Sequence, residues 1–183
     1  GVWQPGDVIQ AAIGQSDNAF TPLQLATYCA TIANNGTRLK THLVKQVTNY
    51  NRDQVISETE PEVVSQVDIS QENLKIVQEA MKGVTQSGGT ANSIFGDYGI
   101  TIAAKTGTAE NPGHSDNVTF IAYAPYDDPE IAVAVVLEYG SRGTYSMNVA
   151  KDIFDAYFYG KTVDENGNLV MPEETNSSGT TNE

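Results

Sequence analysis

The stretch Ile100-Thr101-Ile102-Ala103-Ala104-Lys105-Thr106-Gly107-Thr108, with residues 118–124 and 131–138 behind it, decides how this 183-residue chain folds. Each segment is short, rich in β-branched or aromatic residues and bounded by turn formers, which is the signature of strands. Pro125-Tyr126-Asp127-Asp128-Pro129 separates the last two. It is a turn with a mechanism, because proline donates no ladder hydrogen bond and ends pairing. Links this short join antiparallel neighbours, so the three segments are expected side by side in one sheet.

Helices are expected on either side of these strands. Thr21-Pro22-Leu23-Gln24 opens one: Thr21 caps, Pro22 suits the first helical position and Gln24 completes a capping box. Leu25, Ala26, Cys29, Ala30, Ile32 and Ala33 supply its apolar face, and Gly36 ends it in a left-handed conformation. Ser70 caps a second helix with Leu74, Val77, Met81 and Val84 at helical spacing, closed by Ser87-Gly88-Gly89-Thr90. A third runs from Tyr145 to Tyr159 with Val149, Ile153, Phe154 and Phe158 inward. Residues 39–68 alternate in short runs and read as two or three small strands, while residues 1–20 read as loop with a short extended piece. The fold class is therefore α+β, an antiparallel β-sheet flanked by helices.

Composition narrows the function. The net charge is −13, which argues against nucleic-acid binding, since that needs clustered Lys and Arg. Five acids and no base fall in residues 164–183, leaving the body near −8. Residues 1–160 read as the C-terminal portion of one domain, and the acidic, polar tail 161–183 is expected to be disordered. Cys29 is the sole cysteine, so no internal disulfide forms, and its apolar helical setting marks a buried structural thiol. No apolar run approaches the ~18–20 residues that span a bilayer. The chain has no initiator Met and no signal-like start, and Gly1-Val-Trp-Gln-Pro-Gly reads as the middle of a longer protein.

Lys105-Thr106-Gly107-Thr108 carries the strongest chemical signal. One ammonium and two hydroxyls lie within four residues, and a glycine lets a ligand approach the backbone. On a strand, Lys105 and Gly107 share one face while Thr106 and Thr108 share the other. A strand at the margin of a cleft also offers backbone N–H groups to an extended peptide or an anionic oxygen.

This motif resembles the third active-site motif of serine penicillin-recognising enzymes, which also use Ser-x-x-Lys and Ser-x-Asn. Further pieces in the same order resemble the monofunctional (class B) penicillin-binding proteins, of elongation type, which crosslink peptidoglycan in elongation or division. They are Ile13-Gly14-Gln15, Thr21-Pro22-Leu23-Gln24-Leu25-Ala26, Ile32-Ala33-Asn34-Asn35-Gly36, Gly88-Gly89-Thr90-Ala91, Ala104 to Glu110, and Phe120-Ile121-Ala122-Tyr123-Ala124-Pro125. The resemblance covers residues 6–160. It implies an enzyme acting through a serine acyl-enzyme on D-Ala-D-Ala stem peptides and trapped by β-lactams, with no cofactor and no metal. By the same resemblance Lys105 holds the charge and proton network around the nucleophile. Thr106 and Thr108 bind the carboxylate of the stem peptide or β-lactam, and Gly107 lies between them in the substrate-binding strand. The Thr108 N–H forms half of the oxyanion hole, worth about 3 kcal/mol by analogy with other acyl-transfer sites. The implied location is the extracytoplasmic face of the bacterial membrane, held by an N-terminal anchor outside this chain.

One departure matters. No serine here has lysine three positions later, so the nucleophile is expected upstream, in the missing N-terminal part of the same protein. Ser16-Asp17-Asn18 spells the second motif of related β-lactamases, but falls where the resembled family carries a variable loop. Two alternatives stand beside the transpeptidase: a hydrolase of the same fold (β-lactamase or D,D-carboxypeptidase) and a non-catalytic β-lactam-sensing domain. Residues 99–106 are not a phosphate loop, since Ala104 stands where glycine is needed. His114, Ser115 and Asp116 are consecutive and cannot converge as a triad, so they read as the loop after the motif strand. His42 is isolated, which leaves no metal site.

Overall fold

The computed structural model describes residues 3–15 and 18–171. At its centre β5 (Ala103–Ala109), β6 (Asn117–Ala124) and β7 (Ile131–Leu137) form an antiparallel sheet in the order β5-β6-β7. The expected neighbours are thus neighbours. The Pro125–Pro129 turn closes with the Glu130 N–H donating to Ala124 O at 2.9 Å.

Helices cover both faces of the sheet. On one side Ala103, Tyr123, Ile121 and Ala132 pack with Cys29 and Ile32 of α2 (Pro22–Ala33) and Leu74 and Met81 of α3 (Gln71–Gly83). On the other Ala104, Phe120, Ala122, Val133 and Val135 pack with Phe95 of α4 (Asn92–Phe95) and Met147, Ala150 and Phe154 of α5 (Gly143–Tyr159). The α+β class is as expected, with two cores sharing one sheet. Burial of Cys29 pushes its thiol up to about 12, so it is a neutral packing group.

The caps behave as the sequence predicts. Thr21 Oγ1 accepts the Gln24 N–H at 3.2 Å and Gln24 Oε1 accepts the Thr21 N–H at 2.8 Å. Ser70 Oγ accepts the Asn73 N–H at 3.2 Å, and Gly36 takes φ +84° after α2. In the core shared with α2 and α3, Tyr126 Oη donates to Glu79 Oε1 at 2.7 Å and accepts from Lys75 Nζ at 2.8 Å. These bonds tie the β6–β7 turn to α3.

Four expectations need correction. Residues expected as loop contain α1 (Pro5–Ala12). Pro5 opens this helix, and Asp7 Oδ2 accepts the Gln4 N–H at 2.7 Å. None of its residues is buried and Ile9 is 70% exposed, so no inward stripe announces it. Between residues 37 and 66 there are four strands rather than two or three. Two ribbons form: β1 (Thr37–Leu39) with β4 (Val63–Gln66), and β2 (Gln46–Thr48) with β3 (Val55–Glu58). On α5 the inward stripe runs through Met147, Ala150 and Phe154, leaving Val149 and Ile153 41% and 38% exposed. The small Ala150 faces the sheet where the large apolar residues were expected. On α3 Gln78 is buried and Val77 is not, because Gln78 Nε2 donates to Ile32 O at 2.8 Å and so is satisfied inside.

The tail also differs. Within residues expected to be disordered, β8 (Thr162–Val163) pairs with β9 (Leu169–Val170) in a hairpin. Its turn is closed by the Asp164 carboxylate, which accepts the Asn168 N–H at 2.7 Å and the Asn166 N–H at 2.9 Å, and Gly167 takes φ +84°. Residues 172–183 lie outside the described residues.

Asp155 anchors this C-terminal end. Its side chain is 3% exposed and accepts from Tyr98 Oη at 2.8 Å, Lys151 Nζ at 2.8 Å and Lys161 Nζ at 2.7 Å. Burial pushes the carboxyl up, but the Lys151, Lys161 and Tyr98 bonds outweigh it and hold the group below the usual carboxylate range. A carboxyl held low in the folded state stabilises fully above its unfolded value, near pH 4, and loses that stabilisation as pH falls through the folded value. Asp155→Asn is expected to cost about 2 kcal/mol at pH 7, discounted for the partly exposed lysines. It should also flatten the acid limb of stability. Urea unfolding at pH 7 and pH 3 checks both, since the difference between variant and wild type must shrink at the lower pH.

Candidate active site

The Lys-Thr-Gly-Thr motif occupies the middle of β5, which is an edge of the central sheet. Its register is fixed against β6: Lys105 faces Ile121, Thr106 faces Phe120, Gly107 faces Thr119 and Thr108 faces Val118. The opposite edge of β5 has no strand partner among the described residues. An unpaired edge presents backbone donors and acceptors in the arrangement an extended peptide can join.

Each motif residue has a distinct setting. Lys105 is exposed and its Nζ donates to Thr106 O at 2.6 Å. It makes no ion pair among the described residues. Thr106 is half-buried, and its Oγ1 lies 3.1 Å from Thr90 Oγ1. Thr108 is exposed. Gly107 has a structural reason beyond ligand access: a Cβ there would come within 2.8 Å of Thr119 Oγ1 on the paired strand.

The loops at the Thr108 end of the sheet are joined. Ser141 N–H donates to Asp116 O at 3.1 Å, and Tyr139 N–H donates to Asn117 Oδ1 at 2.9 Å. The His114 ring lies 5.1 Å from the Tyr139 ring, centroid to centroid. His114, Ser115 and Asp116 therefore belong to the loop after the motif strand, beside the β7–α5 connection. Cavities of about 570 and 530 Å³ lie elsewhere, around α2. The motif is an open edge rather than the lining of either cavity.

Of the second-motif look-alike, Ser16 and Asp17 lie outside the described residues. Asn18 Nδ2 donates to Ala11 O at 3.1 Å and Gln15 O at 3.0 Å, so its amide is spent on local backbone. Sequence reasoning missed Thr90 as a neighbour of the motif. Gly88-Gly89-Thr90-Ala91 was legible as a helix end and as one of the family's pieces, but not as part of the site.

The sequence matches the penicillin binding protein transpeptidase domain over residues 2–158. The chain belongs to that family. It is 37% identical over 172 residues to penicillin-binding protein 2A of Bacillus subtilis, covering 84% of this chain and 24% of that protein. It is 30% identical over 175 residues to the peptidoglycan D,D-transpeptidase MrdA of Haemophilus influenzae, covering 85% of this chain and 26% of that one. Among solved structures, the imipenem acyl-enzyme complex of penicillin-binding protein A from M. tuberculosis superposes with a TM-score of 0.69. The identity there is 31%, over 81% of this chain and 33% of that chain. The fold is the penicillin-binding transpeptidase fold of the class B proteins. The chain spans about a quarter of the length of these curated relatives.

Proposed function

We propose that this chain supplies the Lys-Thr-Gly-Thr strand of a peptidoglycan D,D-transpeptidase whose nucleophilic serine lies in a segment outside it. The observation that carries the proposal is the edge of β5 left without a strand partner among the described residues, where an exposed Lys105, in no ion pair among them, stands beside Thr106 and Thr108. In the reaction the serine hydroxyl attacks the carbonyl between the two D-Ala residues of a stem peptide. The C–N bond breaks, D-Ala leaves with a proton, and the acyl group passes to an amine of a neighbouring strand. Lys105 stabilises charge and carries protons around the serine. The Thr106 and Thr108 hydroxyls hold the ligand carboxylate, and the Thr108 N–H stabilises the oxyanion. β-Lactams occupy the same strand because they present a carboxylate and an acylating carbonyl at similar spacing.

No helix among the described residues is long and apolar enough to cross a membrane. The proposed site of action is the extracytoplasmic face of the bacterial membrane, where the peptidoglycan substrate lies, with an anchor outside these residues. The same-fold hydrolase reading gains nothing from Asn18, whose amide is engaged locally.

A D-Ala-D-Ala stem peptide and an amine acceptor distinguish these readings when offered to the protein that carries its Ser-x-x-Lys segment. Release of D-Ala with formation of the crosslinked product is the expected result. Release of D-Ala with hydrolysed peptide alone would make the protein a carboxypeptidase. No release at all would leave β-lactam sensing as the function.

A further inference from the structure

The Thr106 side chain meets the hydroxyl of Thr90, sixteen residues earlier, at 3.1 Å between the two Oγ1 atoms. The turn that carries Thr90 is rigidly specified. Gly88 takes φ +84°, a conformation that L side chains rarely adopt. A Cβ on Gly89 would lie 2.2 Å from Val84 O, so only glycine fits. Gly89 N–H donates to Gln86 O at 2.8 Å and Ala91 N–H to Val84 O at 2.9 Å. Directly after it, Ala91 and Phe95 are buried in the core that also holds Ala104 and Phe120. Thr90 is itself exposed, yet both sides of it are fixed to the layer beneath β5.

A hydroxyl donates one hydrogen bond and accepts up to two. If Thr106 donated to Thr90, its proton would be spent and it could only accept, which repels a carboxylate. With Thr90 donating, the Thr106 proton is free to point outward, and its bond to an anion is strengthened by the one it receives.

We infer that Thr90 is a positioning residue of the carboxylate subsite: its hydroxyl donates to Thr106 Oγ1 and turns the Thr106 proton toward the ligand carboxylate. This rests on the transpeptidase reading above. Thr90 touches no reacting atom, so its effect must be confined to ligands that bear a free carboxylate.

The test measures acylation rates of the serine-bearing protein by benzylpenicillin and by benzylpenicillin methyl ester, in wild type, Thr90→Val and Thr90→Ser. Thr90→Val should slow the free acid roughly tenfold, the scale of one weakened charge-assisted hydrogen bond, and leave the ester rate unchanged. Thr90→Ser, which keeps the hydroxyl, should stay within about twofold of wild type on both ligands. Equal slowing of acid and ester by Thr90→Val would make Thr90 a purely structural residue and overturn the inference. So would unchanged rates on both. Should Thr90→Val unfold, Thr90→Ala serves in its place, because the site is exposed and loses only the hydroxyl and a methyl. Wild type that neither ligand acylates would overturn the transpeptidase reading itself, and the inference with it.

Discussion

Lys105→Ala in the serine-bearing protein is expected to slow acylation by benzylpenicillin by roughly 10²- to 10⁴-fold, the range of a lost proton-transfer group. Its folding stability should stay within about 0.5 kcal/mol of wild type. The two halves of that expectation come from the same geometry. The Lys105 side chain is exposed on an edge strand, and among the described residues its polar contact is with the carbonyl of the next residue. It fills no cavity and neutralises no carboxylate among the described residues, so removing it costs the fold little. A cation without a counter-ion is in turn available to one that arrives with the reaction, either a ligand carboxylate or a developing oxyanion. Thermal melting beside acylation kinetics separates the two halves. A large loss of stability would make Lys105 structural, and an unchanged rate would remove it from the chemistry.

Phe120→Ala carries the largest expected effect on stability, about 3–5 kcal/mol. Phe120 is 0% exposed and lies on the central strand of the sheet. Its ring stacks on Phe95 at 5.6 Å between centroids with 6° between planes, and Phe95 meets Phe154 edge-on at 6.3 Å. The three rings thus link β6, α4 and α5 across one core. Truncation leaves a cavity bounded by side chains that belong to different elements and cannot all move inward. Phe120 also faces Thr106 across the ladder, so a collapse there would reach the motif. In urea the midpoint should fall by roughly 2 M, taking m near 2 kcal/mol/M. Ile9→Ala on exposed α1 should move the same midpoint very little. A small shift for Phe120→Ala would mean that this core is not packed as described.

The features legible in the sequence were those written locally. The three central strands announce themselves by short runs of β-branched and aromatic residues and by a turn with a proline at each end, α2 by the four-residue signature of its capping box, and α3 by the Ser70 cap. The motif was readable because four consecutive residues carry it and because other family pieces surround it in order. What escaped depends on contacts distant in sequence. Helix α1 buries nothing among the described residues, so its apolar residues formed no inward stripe. On α5 the two β-branched residues Val149 and Ile153 looked inward by composition, but the sheet accepts Ala150 and Phe154 at close approach. The Asp155 cluster draws Tyr98, Lys151 and Lys161 from three segments, and an acid on a helix gives no sign in the sequence that it will be buried. Thr90 meets Thr106 only because two glycines fold its turn against the edge of β5, and two hydroxyls sixteen residues apart make no pattern.

The central claim is that this chain holds the binding strand and not the nucleophile. Intact mass spectrometry after incubation with benzylpenicillin, on this 183-residue chain and on the protein extended upstream through its Ser-x-x-Lys segment, tests it most directly. The account predicts one covalent adduct on the extended protein and none on this chain. A stoichiometric adduct on this chain alone would place a nucleophile within these residues and contradict it, as would the absence of any adduct on the extended protein.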